Sequence, residues 1–284
     1  MEILSKVTTR NGTRRARCRD VRPLRLMTYL APNLFWFYEF VSRYLAKMLH
    51  CPTELAVGAD YRQLPGQVDI AFLCGLPYVE HTRLGSPRME PLVAPVLRGE
   101  RYGGRPIYFS DVIVRSDSPF RSFGDLRGRS WAYNEPQSQS GYGVVRYHLV
   151  QKEETEGYFS RVIEAGYHER AIHMVHSDEV DAAAIDSHVL ALVMRDQPAV
   201  AGRLRVIDTL GPSPIQPVVA GNHLPNSLKS ELKNVLLEMG DDPRAQPALA
   251  RALVERFEPV SDSTYDNIRR MRAVAEAAQF LTIR

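Results

Sequence analysis

Ser138, Gln139, Ser140 and Gly141 form an S-x-S-G turn within WAYNEPQSQSGYGVVRYHL, residues 131 to 149, where a strand end and a hydroxyl-rich turn stand directly before a helical pattern. That order of residue types is suited to holding an oxyanion. The first-turn N–H groups of a helix have no intrahelical partner, and the aligned peptide dipoles leave partial positive charge there. An anion is stabilised at that end by about 0.3–1 kcal/mol, or up to about 2 kcal/mol when partly buried. Ser138 and Ser140 add hydroxyl donors, Gly141 omits a Cβ where a ligand approaches the backbone, and Asn134 and Tyr142 offer polar contacts at the rim. The plain alternative is an ordinary serine N-cap, so the rest of the chain must decide.

Other candidate chemistry is weaker. His168, His173 and His176 lie near Asp178 and Glu179, but no H-E-x-x-H pattern accompanies them, and no metal site is expected. No G-x-S-x-G elbow, Walker A loop or strand-borne G-x-G-x-x-G occurs, and no cysteine has a matching base, so neither a catalytic residue nor a cofactor is assigned. GERYGGRP at 99 to 106 precedes a strand rather than a helix and reads as a turn. Cys18, Cys51 and Cys74 lack C-x-x-C spacing and read as buried small apolar residues.

The elements that must position these residues follow from composition and pattern. With 284 residues, 44% apolar and 24% charged, the chain suits one large or two medium globular domains. Residues 1 to 25 carry eight basic and two acidic side chains, which leaves the other 259 residues with a net charge of −3. The body is therefore not the basic surface of a nucleic-acid binder, and residues 1 to 23 read as a basic, solvated leader or as the product of a start placed too early. No apolar core of about 7–15 residues precedes the first strand, so the sequence as it stands shows no export signal.

Strand and helix patterns alternate, which argues for a mainly parallel sheet covered on both faces. Leu24 to Tyr29 reads as the first strand. Leu34, Phe37, Tyr38, Val41, Leu45 and Met48 then form the core-facing stripe of a helix capped by Asn33. Strands follow near 54 to 57 and 69 to 74, and Gly75 to Tyr78 reads as a break. IYFSDVIVR at 107 to 115, and Arg205 to Leu210 with GPSPIQPVVAG, are two β-rich runs that carry the chain into a second domain and back. This places residues 24 to 106 plus 214 to 284 in a first lobe and 107 to 213 in a second, with a ligand cleft between. Ser227 to Met239, Ala245 to Phe257 and Thr264 to Phe280 read as helices.

From about Leu24 onward the chain resembles the phosphate/phosphonate-type substrate-binding proteins of ABC transporters, on the type II periplasmic binding protein fold. The resemblance rests on TYLAPN, VDIAFLCGLPYV, NEPQSQSGY, and GYHERAIHMVHSDEVDAAAID with LGPSPIQP, in that order and spacing. It implies an α/β fold of two lobes, each a mixed sheet flanked by helices, joined by two crossover strands. It also implies that Ser138, Gln139, Ser140 and their backbone N–H groups hold phosphoryl oxygens, that Tyr29, Tyr78 and Tyr108 contact the ligand, and that His168 and Asp186 fall on a family histidine and acidic position. Paired carboxylates, which members binding aminoalkyl phosphonates use for the amine, are matched by Asp186 alone.

Asp186 beside an anion needs a proton or cation between them, and accepting a hydrogen bond from a P–OH group would select a monoanion, with His168 a donor strengthened by protonation. A helix cap at Ser187 and a packed helix-start histidine are the alternatives. The expected function is the monomeric substrate-binding component of an ABC importer for phosphate, phosphite or a phosphonate, periplasmic with a permease partner if exported. The alternative is a cytoplasmic biosynthetic enzyme or ligand sensor on the same fold, which the missing export signal favours and the missing catalytic constellation disfavours.

Overall fold

β-Branched and aliphatic runs build two separate sheets in the computed structural model, which describes residues 22–59, 61, 64–83 and 89–283. The leader up to residue 21, and Cys18 with it, lies outside the described residues. The larger sheet has the order β11-β4-β10-β3-β1-β2 and comprises β1 (Leu24–Thr28), β2 (Thr53–Val57), β3 (Ile70–Phe72), β4 (Met89–Leu97), β10 (Val218–Gly221) and β11 (Val254–Pro259). The smaller sheet has the order β7-β6-β8-β5-β9 and comprises β5 (Ile107–Arg115), β6 (Ser130–Tyr133), β7 (Arg161–Glu164), β8 (Ala182–Asp186) and β9 (Leu204–Pro214).

Both sheets are mixed, as the family resemblance implies and in place of the mainly parallel sheet read from the strand–helix alternation. β1 pairs parallel with β2 and β3, while β10 runs antiparallel to β3 and β4, and β11 antiparallel to β4. In the smaller sheet β6 is parallel to β7 and β8, but β5 is antiparallel to β8 and β9. The chain leaves the larger sheet after β4, and β9 leads back into β10.

Among the described residues ten α-helices cover these sheets: α1 (Phe35–Leu49), α2 (Leu64–Gln67), α3 (Gly75–Thr82), α4 (Val144–Gln151), α5 (His168–His176), α6 (Ser187–Asp196), α7 (Pro198–Ala201), α8 (Asn226–Glu238), α9 (Gln246–Arg251) and α10 (Asp266–Ala277). In α1 the predicted stripe is largely buried: Phe37, Tyr38, Val41 and Leu45 face the core of the larger sheet. The predicted cap is not there. A 3-10 turn over Pro32–Leu34 precedes the helix, Leu34 is its N-cap, and neither atom of the Asn33 side-chain amide has a partner among the described residues. The Asn33 backbone N–H instead donates to Glu169 Oε1 of α5, at 2.8 Å.

Three other assignments change. Gly75 to Tyr78 opens α3 rather than breaking the chain. The C-terminal part of the predicted helix to Phe257 is β11, because Leu253 takes a left-handed φ of 55° that ends the helical path. β4 was not predicted, since Pro91 and Pro95 lack the N–H a central strand normally donates; the pairing on both its sides is irregular, with register shifts at Val218/Val219 and Val254/Arg256. Among the described residues no helix is long and apolar enough to cross a membrane.

Candidate functional site

A cavity of about 340 Å³ opens where the carboxyl ends of strands from both sheets converge. Tyr29 follows β1, Gly58 follows β2 and Cys74 follows β3, while Asn134 follows β6, His168 follows β7 and Asp186 ends β8. Strand ends in α/β sheets collect ligand-binding groups because the loops there are free to vary while the strands hold them in register. Of the residues singled out from sequence, Tyr29, Asn134, Ser138, Ser140, His168 and Asp186 line this one cavity.

Ser138 is both an N-cap and a lining residue. Its Oγ accepts the Gly141 N–H at 3.0 Å, capping a π-helical turn over Gln139–Gly143 that leads into α4. That bond occupies an acceptor position and leaves the hydroxyl proton available to donate. Ser140 Oγ lies 3.5 Å from Ser138 Oγ and 3.1 Å from His168 Nε2. From the crossing strand β5, Ser110 donates to the Ser140 carbonyl at 2.6 Å, which ties the turn to the sheet.

Three of the turn's amides are already paired, which corrects part of the expectation. The Ser138 N–H donates to the Glu135 carbonyl, the Gln139 N–H to Cys74 Sγ and the Gly141 N–H to Ser138. The Gln139 side chain points away from the cavity, and its amide donates to Ser213 Oγ at 3.2 Å. Gly141 is glycine for a different reason than predicted: a Cβ there would stand 2.0 Å from Asn134 Oδ1. Tyr142 is not at the rim; its hydroxyl accepts the Ile283 N–H at 3.2 Å.

Tyr78 and Tyr108 also fall outside the lining. Tyr78 donates to Asp262 at 2.6 Å and packs edge-on against Tyr265. Tyr108 is fully buried, with its phenol against Cys74 and Ser140.

Burial sets the charge state of the cavity. It pushes His168 down to about 3, so the ring is neutral at ordinary pH and the strengthening expected from protonation does not arise there; the ring meets Ser140 through one nitrogen. Burial also pushes His188 down to about 4; its Nε2 faces the Ala252 carbonyl at 2.5 Å. Asp186 is pushed up to about 6 by burial, against the lowering effect of its hydrogen bonds. Its Oδ1 accepts the His188 and Val189 N–H groups at the start of α6, and its Oδ2 accepts the Gln216 amide at 2.5 Å. Asp186 therefore caps α6 and also lines the cavity.

Sequence reasoning passed over Tyr38, Cys74, Glu135, His188 and Gln216, which also line the cavity. Burial and the charges of Asp186 and Glu169 raise the Tyr38 phenol, keeping it protonated as a donor. Burial likewise raises Glu135, which accepts the Tyr61 hydroxyl at 3.3 Å. Position was the available signal for several of them, because Cys74, Glu135 and His188 each stand two residues beyond a strand. Among the described residues no group of three or more His, Cys, Asp or Glu side chains is placed to hold a metal.

The chain is similar in sequence and in fold to known proteins. The phosphonates-binding periplasmic protein of Escherichia coli (strain K12) is 26% identical over 178 residues, a match covering 61% of this chain and 52% of that protein, about half its length. A binding protein component of an ABC phosphonate transporter from Pseudomonas aeruginosa superposes with a TM-score of 0.78 at 20% identity, over 90% of this chain and 88% of that one. PhnD1 from Prochlorococcus marinus (MIT 9301), solved in complex with methylphosphonate, gives 0.76 at 19% identity, over 87% and 96%. The structural likenesses establish the fold, two mixed sheets flanked by helices as in type II periplasmic binding proteins. The family model for the periplasmic phosphonate substrate-binding protein of ABC transporters matches residues 31–265, and the chain belongs to that family.

Proposed function

We propose that this chain is the substrate-binding component of an ABC importer and captures a small phosphorus oxyanion (phosphate, phosphite or a phosphonate) in the cavity between its sheets. The observation that carries the reading is the convergence of Ser138, Ser140 and His168 on one cavity wall, with Tyr29, Tyr38 and Asn134 lining the same space. Hydrogen bonds to a charged group contribute about 1.5–3 kcal/mol each, so four or five reach the roughly −8 kcal/mol of micromolar binding without a cationic clamp. None of the described residues lining the cavity is Lys or Arg.

That absence, with Asp186 and Glu135 in the lining, favours a monoanion over a dianion. A carboxylate can accept a hydrogen bond from the P–OH of a monoanion, whereas a dianion offers no such proton and is repelled. The same lining supports binding without chemistry. Its thiol, Cys74, is pushed up to about 11 by burial and stays protonated, which removes it as a nucleophile. Family membership supports delivery of the ligand to a membrane permease on the periplasmic side.

The test is calorimetry or thermal unfolding with phosphate, phosphite, methylphosphonate and aminoethylphosphonate. A ligand at a hundredfold excess over Kd stabilises by about 2.7 kcal/mol. At least one of the four is expected to bind at micromolar Kd. If none binds while an unrelated organic acid or a pyrimidine precursor does, the oxyanion reading is wrong and a biosynthetic enzyme or sensor replaces it.

A further inference from the structure

The chain passes from the larger sheet to the smaller and back along two segments that lie side by side. Ile107 pairs with Pro214 and Tyr108 with Ser213, and the Ile215 N–H donates to the Pro106 carbonyl at 3.0 Å. Gln216 stands on the return segment. Its backbone is held on both flanks, because Tyr265 donates to the Ile215 carbonyl at 3.0 Å and the ring of Pro217 fixes the next φ. From there its amide reaches Asp186 Oδ2 at 2.5 Å. The outgoing segment is bound to the neighbouring residue, since Ser187 Oγ accepts the Phe109 N–H at 3.1 Å and the Tyr102 hydroxyl at 3.2 Å. Asp186 and Ser187 thus connect the cavity to both segments. A carboxylate offers about four acceptor positions. The His188 and Val189 N–H groups occupy Oδ1 and Gln216 takes one position on Oδ2, which leaves about one for a ligand in the cavity.

We propose that Gln216 is a positioning residue for ligand capture: held by the return segment, it fixes the Asp186 carboxylate as an acceptor whose remaining position takes the hydrogen of a P–OH group. The inference rests on the oxyanion reading above and deepens it. Burial raises the Asp186 carboxyl to about 6, and the Gln216 bond acts against that rise. Loss of the amide therefore favours the protonated carboxyl, which no longer requires a proton from the ligand. Tyr38, Cys74, Tyr102 and Tyr108 also face Asp186, each raised by burial, while His188 is lowered to about 4, so all five are neutral from pH 5 to pH 8. Asp111 acts on Asp186 from β5 and is paired with Arg101. Glu135 in the same cavity and Glu169 near Tyr38 are raised by burial as well, and they contribute equally to any comparison of two proteins that differ only at Gln216.

The experiment follows the Asp186 carboxyl by carbon-13 NMR in the ligand-free protein, assigned through Asp186→Asn, and titrates methylphosphonate calorimetrically from pH 5 to pH 8. It compares the wild type with Gln216→Leu and with Gln216→Met, which keeps the length of the side chain. Both variants are expected to move the carboxyl titration up by about one pH unit, a tenfold change in its proton affinity. The fall in methylphosphonate affinity is expected to move up by the same interval. Added to Asp186→Asn, Gln216→Leu is expected to leave the profile where it is. A carboxyl that titrates alike in wild type and variants overturns the inference, as does wild-type binding whose pH profile the variants leave unmoved. If the wild type binds none of phosphate, phosphite and methylphosphonate, the oxyanion reading falls and takes this inference with it.

Discussion

The two walls of the cavity are unequal. The smaller sheet and its helices present mostly polar groups, Asn134, Glu135, Ser138, Ser140, His168, Asp186 and His188, beside Tyr167 and Val189, whereas the larger sheet presents mostly aromatic or apolar ones, Tyr29, Leu30, Pro32, Leu34, Tyr38 and Val57, beside Cys74. Under the proposed function, one wall would orient the ligand and the other would exclude water from it. Hydrogen bonds on the polar wall gain strength from the low dielectric that the opposite wall creates, so neither wall is sufficient alone. The two sides are also joined directly. Glu169 of α5 accepts the Asn33 N–H, and Glu135 accepts the Tyr61 hydroxyl, so carboxylates of the smaller-sheet side hold groups of the larger.

The largest expected effect breaks the polar wall. Ser138→Ala with Ser140→Ala removes two hydroxyl donors to a charged ligand, a loss of about 3–6 kcal/mol, or at least a hundredfold in Kd. Because Ser138 also caps the turn before α4, the variant loses about 0.5–2 kcal/mol of stability. The ligand-induced shift is therefore read against each protein's own unliganded Tm. Binding within threefold of wild type would place the ligand elsewhere.

Asp186→Asn comes next, with an effect of about tenfold that depends on pH. The wild-type carboxyl, pushed up to about 6, is protonated below that pH and charged above it. Affinity for an anion thus falls as pH rises through 6 in the wild type, and the amide variant lacks that fall. Comparing the two proteins with methylphosphonate at pH 5 and pH 8 cancels the ligand's own ionisation, and the variant is expected to gain at pH 8 relative to pH 5. Parallel profiles would mean that Asp186 serves α6 alone.

Much of this architecture was legible because it follows from period and punctuation. The α1 stripe, the long β5 run and the proline-rich return at 210 to 217 each carry a pattern that local physics enforces. The polar wall was legible for a similar reason, since hydroxyls before a helix announce themselves. The apolar wall was not. Tyr38 sits on the α1 stripe and differs from a core aromatic only in where its hydroxyl emerges, which depends on the packing of β8 and α6 far along the chain. Gln139 and Gly141 failed in the opposite sense. Their types suit a ligand, but Ser213, Met271 and Asn134, brought close only by folding, claim the space around them.

Tyr38→Phe sharpens the comparison on the apolar side. The ring and its burial remain, and only a phenol held protonated by its surroundings is lost. A weakening of about tenfold is expected for the oxyanion, the lower end of the roughly 1.5–3 kcal/mol of one hydrogen bond to a charged group. No change in a titration of methylphosphonate would make the larger-sheet wall purely a cover.

The smallest effect tests how the walls are joined. An Asn33 that capped α1 would cost about 1 kcal/mol on replacement by alanine. Here its side-chain nitrogen and oxygen are both buried without partners among the described residues, and the bond that matters is made by its backbone N–H to Glu169. Asn33→Ala retains that N–H and removes two desolvated polar atoms, so urea unfolding is expected to show stability unchanged or raised by up to about 1 kcal/mol. Glu169→Ala deletes the acceptor across the cavity and is expected to be the more destabilising of the two. The reverse order would return the cap to Asn33 and leave the two walls joined chiefly through Glu135 and Tyr61.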